Sequence, residues 1–208
     1  MSCPFKPKWE RRKDARPQEL LAAALELFVE RGFAATRLDD VARTAGVSKG
    51  TLYLYFSSKE ELFKAVVRES IVPLIGAAED AIGQFNGSSE ELFRLITHTW
   101  WDNVGNTKLS GLPKLMMAEA GNFPELARFY QEEVVDRGEN LMKTVLRRGM
   151  ERGEFRQVDL EIDARILTAP VIMMMMWKHS QGVCQIDPGK LDTYLEHYIE
   201  IALHSLRI

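Results

Sequence analysis

The stretch "GVSKGTLYLYFSSKEEL", Gly46 to Leu62, sets three aromatic rings, Tyr53, Tyr55 and Phe56, between Lys49 and Lys59. It carries no metal-ligand spacing and no nucleophile. Its upstream neighbours supply a different pattern. Ala42 is small where two helices would cross, and Gly46, four residues on, tolerates a tight turn. Val41, Val47 and Leu52 stand where they would hold a second helix on a first. Two short helices joined by a three-to-four-residue turn containing glycine make a helix-turn-helix. Such a unit lays its second helix in the major groove of DNA, with that helix's first residues on base edges.

Each residue of the stretch then has a role to fill. Ser48, Lys49, Gly50 and Thr51 form the first turn of the recognition helix, where backbone N–H groups lack intrahelical partners and the helix dipole is positive. Gly50 lets the backbone come close to the duplex, and Lys49 and Thr51 reach base edges or a phosphate. Tyr53 and Tyr55 offer hydroxyls to phosphate oxygens, and Lys59 adds a cation at the start of the next helix. Leu52 and Phe56 carry the apolar spacing and read as core. Phosphate contacts set position and affinity, whereas base contacts set sequence.

Outward from this unit the apolar residues recur at three and four, and the pattern is helical throughout. Leu20, Leu21, Ala24, Leu25, Leu27 and Phe28 share one face of a helix over Arg16 to Arg31, stopped by Gly32. Thr36 is expected to cap a short second helix with Asp39 in its first turn, and Ser48 a third. Ser58 with Glu61 forms a capping box opening a fourth helix, expected to run to about Gln84 with a kink at Pro73. Asn86-Gly87 marks the clearest break, followed by a second capping box of Ser88 with Glu91. Helices are then expected over about 89–104, 109–119, 123–151, 160–180 and 188–206.

Composition fits this reading. The 208 residues are 46% hydrophobic and 27% charged, an ordinary globular balance. The longest apolar run, "APVIMMMMW", is far shorter than the roughly 20 residues that span a bilayer. With no apolar region behind the basic N-terminus, and with two cysteines read as free thiols, the expected location is the cytoplasm, without membrane contact. Net charge is −3, but residues 1–60 hold 11 basic and 8 acidic side chains, so positive charge gathers at one end. The leader "KPKWERRKDAR" either follows a DNA backbone or enters the minor groove, or is a disordered tail.

The run "GFAATRLDDVARTAGVSKGTLYLYFSSKEELF" resembles the DNA-binding region of TetR/AcrR-type transcriptional regulators over about residues 15–64. The resemblance implies an all-α homodimer. Residues 1–14 would form a basic arm, 15–62 a three-helix helix-turn-helix domain binding a palindromic double-stranded operator, and 63–208 a helical ligand-binding and dimerisation domain. It also implies a repressor released by a small hydrophobic effector, with no cofactor. Carried over by position, the DNA contacts fall on Thr36, Arg37, Lys49, Gly50, Thr51, Tyr53, Tyr55 and Lys59. The family often has an arginine that reads a base where this chain has Asp39. A carboxylate there repels phosphates unless it caps the helix or accepts from cytosine N4. A cap role is expected, with Arg37 taking over groove contact.

In the second half, Met173 to Met176 place apolar side chains around most of a helix. A helix apolar on all sides must be buried on all sides. That is met if one face joins the core and another joins a second copy of the chain, with Leu191, Tyr194, Leu195, Tyr198, Ile201, Ala202 and Leu206 supplying a matching stripe on the last helix. A homodimer through helices 160–180 and 188–206 follows, and the resemblance implies the same pair. An effector pocket is expected beyond the kinked fourth helix, walled by Phe93, Trp100, Trp101, Met116, Met117, Phe129 and Met174, since methionine and tryptophan suit hydrophobic ligands. His98 is a candidate polar anchor. No arrangement of an enzyme appears: the four histidines are scattered, and metal, nucleophile and phosphate-loop motifs are absent. Cys184 reads as a thiol in a loop, redox-sensing or idle. The alternative function is a DNA-binding protein of this fold that answers to a protein partner or to DNA alone.

Overall fold

The computed structural model describes residues 16–180 and 187–208, and among them every regular element is a helix. The basic arm and Cys184 lie outside the described residues. Helix α1, Arg16–Arg31, buries Leu20, Leu21, Ala24, Leu27 and Phe28 on the expected stripe. It stops at Gly32, whose φ of +86° is a left-handed conformation open to glycine without Cβ strain. Helices α2, Leu38–Thr44, and α3, Lys49–Tyr53, follow, separated by Gly46 at φ +67°. Helix α2 packs on α1, α3 packs on α2, and α1 also packs against α4, Lys59–Ser70. Phe28, Phe33 and Phe63 knot this unit together with ring centroids 5.4 to 5.8 Å apart. Each tilted or edge-on pair adds about 0.5–1.5 kcal/mol beyond area burial.

The long kinked fourth helix is overturned. The chain forms two helices, α4 and α5, Val72–Gln84, with Ile71 between them at φ −107° and ψ −47°. Pro73 falls in the first turn of α5, where its missing N–H would have had no partner. A proline that sequence alone puts mid-helix therefore starts a helix instead.

Ser88 and Glu91 form the full capping box at the head of α6, Ser89–Trp100. At Ser58 only the forward bond is made, from Glu61 N–H to the serine Oγ at 3.1 Å. Helix α6 runs on through a π-turn at Trp101–Gly105. There the Trp101 ring lies across the Gly105 backbone, so close that a Cβ on residue 105 would sit 2.3 Å from it. A 3₁₀ turn leads into α7, Leu112–Glu119. Helix α8, Pro124–Tyr130, passes through a second π-turn at Gln131–Val135 into α9, Asp136–Glu151. Helix α10, Leu160–Lys178, lies along α9 and against α11, Leu191–Leu206.

The four methionines of α10 divide. Met174 and Met175 are buried with Ala164, Leu167 and Val171, whereas Met173 is 43% exposed. Ile162 and Ile166 on the same helix are 58% and 60% exposed, and Tyr194 and Ile201 on α11 are 47% and 70% exposed. Two adjacent helices thus leave large apolar side chains in solvent.

Candidate nucleic-acid interface

The α2–α3 unit packs as its spacing predicts: Val41, Ala42 and Leu52 are buried, and Val47 packs at the edge of the core. Ser48 sits at the head of α3 in extended conformation, its Oγ accepting from Thr51 N–H at 3.1 Å and lying 2.8 Å from the Thr51 hydroxyl. That cap leaves the N–H groups of Lys49 and Gly50 at a helix start, where no intrahelical acceptor exists. Lys49, Gly50, Tyr53 and Tyr55 are exposed, the two tyrosines at 46% and 42%. Arg37 is exposed at the head of α2. The structure therefore brings Arg37, Ser48, Lys49, Gly50, Thr51, Tyr53 and Tyr55 to the open side of the unit. Leu54, to which sequence reasoning assigns no role, is 83% exposed beside them. Its one signal is position: it lies two residues, about 200° round the helix, from buried Leu52.

Readings at three residues, Thr36, Lys59 and Asp39, are corrected here. Arg37, not Thr36, occupies the cap position of α2, and it makes no side-chain cap bond. Thr36 is buried, its hydroxyl directed at the carbonyls of Gly32 at 2.8 Å and Leu27 at 3.1 Å. A hydroxyl has one proton to give, and this one is given to the end of α1 rather than to a phosphate.

Lys59 is likewise turned inward. Its Nζ donates to the carbonyls of Phe33 at 2.6 Å, Ala34 at 3.0 Å and Thr36 at 3.0 Å, which accounts for all three of its protons. It also lies 4.6 Å from the centre of the Phe33 ring. Burial lowers its pKa from the usual lysine value, as befits an ammonium taken from water. Lys59 thus clasps the α1–α2 loop from below. Glu119 at the end of α7, near enough for its charge to favour the Lys59 ammonium, accepts from Ala34 N–H at 2.9 Å, and Phe123 meets Phe33 edge-on at 4.7 Å.

Asp39 caps nothing. Its two oxygens take Lys49 Nζ at 2.8 and 3.0 Å, a link from the first turn of α2 to the first turn of α3. That hydrogen bond, with the carboxylate's charge, raises the pKa of Lys49. The same ammonium lies 5.8 Å from the Tyr53 ring.

The residues expected to wall an effector pocket are spread. Phe93 faces Tyr198 of α11 at 6.5 Å between rings, and Trp101 donates from Nε1 to Asp192 of α11 at 3.0 Å. Phe129 instead faces α4, with the Arg68 guanidinium 5.0 Å and Lys64 Nζ 5.8 Å from its ring. Met116 and Met174 are buried, and Trp100 is half-buried. Met117 is 67% exposed, one residue and about 100° round the helix from buried Met116. It walls no interior space. His98 points outward to Glu196, 3.4 Å away, rather than into the core. No group of three or more His, Cys, Asp or Glu that could hold a metal occurs among the described residues. Nor is any helix there long and apolar enough to cross a membrane.

Comparison with known proteins agrees with this geometry. Residues 20–66 match the family model for bacterial regulatory proteins of the tetR family, and residues 86–196 match that of the tetracyclin repressor-like C-terminal domain. The HTH-type transcriptional repressor KstR2 of Rhodococcus jostii is 29% identical over 196 residues, 93% of this chain and 92% of that protein. The ketosteroid transcriptional regulator KstR2 of Mycobacterium tuberculosis superposes with a TM-score of 0.73 at 24% identity, covering 97% of this chain and all of the other. The regulator FadR of Bacillus subtilis, in complex with stearoyl-CoA, superposes with a TM-score of 0.72 at 19% identity, over 91% of this chain and 99% of its own. The chain, with its helix-turn-helix at one end and a helical domain at the other, belongs to the TetR family of bacterial transcriptional regulators.

Proposed function

We propose that this regulator is a homodimeric repressor that leaves a palindromic operator when it binds a hydrophobic molecule. The observation that carries the DNA side of this reading is the open surface of α2 and α3. There Arg37, Lys49, Tyr53 and Tyr55 stand in solvent over a packed base of Val41, Ala42 and Leu52. Residues 15–62 would form the DNA-binding domain and 63–208 the sensing and dimerising domain, working in the cytoplasm. Support for the dimer comes from the exposed Ile162, Ile166 and Met173 of α10 beside Tyr194 and Ile201 of α11. Apolar side chains in such a row favour a partner, and a two-fold axis supplies the same row again.

The effector class takes its support from relatives: one structure holds stearoyl-CoA, and another is named for ketosteroids. Both point to a large, mainly apolar ligand, in keeping with Phe93, Trp101, Met116 and Met174 in the helical domain. Release would follow from a ligand that prefers the arrangement in which the two recognition helices no longer stand about 34–36 Å apart. The outward places of Met117 and His98 favour a second reading, in which the same fold answers to no small molecule.

Selection of bound sequences from a random duplex pool, with and without stearoyl-CoA, tests the proposal. A palindrome that is enriched, and lost when the acyl-CoA is added, bears it out. A palindrome that neither stearoyl-CoA nor a ketosteroid disturbs, with no rise in melting temperature from either, favours the second reading. No enrichment from folded dimer at low salt overturns the DNA-binding assignment of α3.

A further inference from the structure

The Asp39–Lys49 pair joins the two helices of the DNA-binding unit on their open side, and neither partner is buried: 56% and 60% of the side chains face solvent. An ion pair so placed contributes little to folding. A carboxylate at this place is also an obstacle to a polyanion, so its use is to be sought in binding.

We propose that Asp39 and Lys49 together read one G·C base pair in each operator half-site. The proposal rests on α3 being the helix that enters the major groove. Along that groove a G·C pair presents guanine N7 and O6 as acceptors and then cytosine N4–H₂ as a donor. O6 and N4 are partners in a base-pairing hydrogen bond and so stand about 2.9 Å apart. The ammonium nitrogen and carboxylate oxygen stand 2.8 Å apart, the same separation in the opposite sense. With Lys49 on O6 and N7, Asp39 falls on N4, and the pair passes from water into the groove unbroken. An A·T pair suits it poorly. Its donor, adenine N6, lies between the acceptors N7 and O4, which repel a carboxylate, and the thymine methyl crowds the ammonium's place. On any other sequence Asp39 cancels the attraction of Lys49 for phosphates. The pair therefore raises preference for its own base pair and lowers binding to random DNA.

Asp39→Ala tests this in the full-length chain, by selection from a random duplex pool and by titration of selected and random duplexes from 50 to 200 mM salt. The parent protein is expected to enrich G·C at one position of each half-site. Asp39→Ala relaxes that position by about tenfold, the scale of one good base contact, and leaves the other positions unchanged. It binds random duplex more tightly, and its log affinity falls more steeply with log salt, by about 0.9 for each protomer bound, because Lys49 is freed for phosphate. Asp39→Asn moves the preference at that position towards adenine, which an asparagine amide reads in bidentate fashion. The pair is overturned if Asp39→Ala selects the parent's sequence with the parent's salt slope. It is equally overturned if Asp39→Ala lowers the melting temperature and weakens all duplexes alike, which would mark a helix-bracing role. A parent that selects no sequence at all fails at the earlier step, the assignment of α3 to DNA.

Discussion

Replacing Lys59 by methionine keeps the unbranched stem and removes the ammonium that holds Phe33, Ala34 and Thr36 by their carbonyls. A hydrogen bond to a charged group contributes about 1.5–3 kcal/mol. The bond to Ala34 is exposed, and water replaces it; those to Phe33 and Thr36 are partly buried and count in full. Two such bonds come to about 3–6 kcal/mol, and relief from holding a half-buried cation returns part of that. The expected net loss is about 2–4 kcal/mol. At about 2–4 °C per kcal/mol for a chain of this size, the melting temperature falls by about 5–15 °C. Thermal denaturation followed by circular dichroism reads this directly. Titration of the selected operator between 50 and 200 mM salt gives the second readout: with no proton of Lys59 left for a phosphate, the salt slope of Lys59→Met equals the parent's. A variant that melts within about 2 °C of the parent, while its slope shrinks by about 1.8 for a dimer losing two phosphate contacts, would refute the inward role.

Three further outcomes follow from other parts of the molecule. Ile166→Glu puts a charge on each half of the α10 face; losing two buried isoleucines, at about 1.5–3 kcal/mol each, weakens dimerisation by about 10²–10⁴-fold in sedimentation equilibrium, and an unchanged dimer would remove α10 from the interface. Gly46→Ala meets no atom within 4 Å, so its cost is the left-handed backbone alone, about 1–2 kcal/mol in urea unfolding, and an unaltered midpoint would contradict the turn geometry. Glu154 accepts from Ser89 N–H at 2.6 Å and from Arg152 Nε at 2.8 Å, and these bonds hold its pKa at about 2 against the usual 4.5. A carboxylate lowered on folding stabilises above its unfolded pKa, so this contribution is whole above about pH 4.5 and is lost as pH falls towards 2. Glu154→Gln should accordingly be less stable than the parent at pH 6 and lose less on acidification, and parallel pH curves would deny the shift.

The helices were legible because their ends are local: Gly32 and Gly46 need φ above zero, and Ser48 and Ser88 bond to N–H groups three residues on. Core spacing was legible for the same reason, as with Val41, Ala42 and Leu52. What failed depends on contacts between distant residues. Lys59, at the start of the helix after the recognition unit, read as a cation for a phosphate; its partners lie 23 to 26 residues earlier, in a loop whose fold no spacing reveals. Asp39 read as a cap because caps are local, and its true partner is ten residues away. Met117 and Met116 differ only in which side of α7 meets the core. Pro73 is ambiguous in sequence, since a proline suits a kink within one helix and the first turn of another.

The break at Ile71 sets a mechanical advantage. Helix α4 spans 12 residues, so its DNA-proximal end stands about 18 Å from that joint. A tilt of about 10° there sweeps the Lys59 end, with the loop it clasps and the head of α2, through about 3 Å. In a symmetric pair swinging apart, the two displacements add to about 6 Å, half the width of a major groove. A tilt of this size at one joint is thus large enough to take two recognition helices out of step with the duplex.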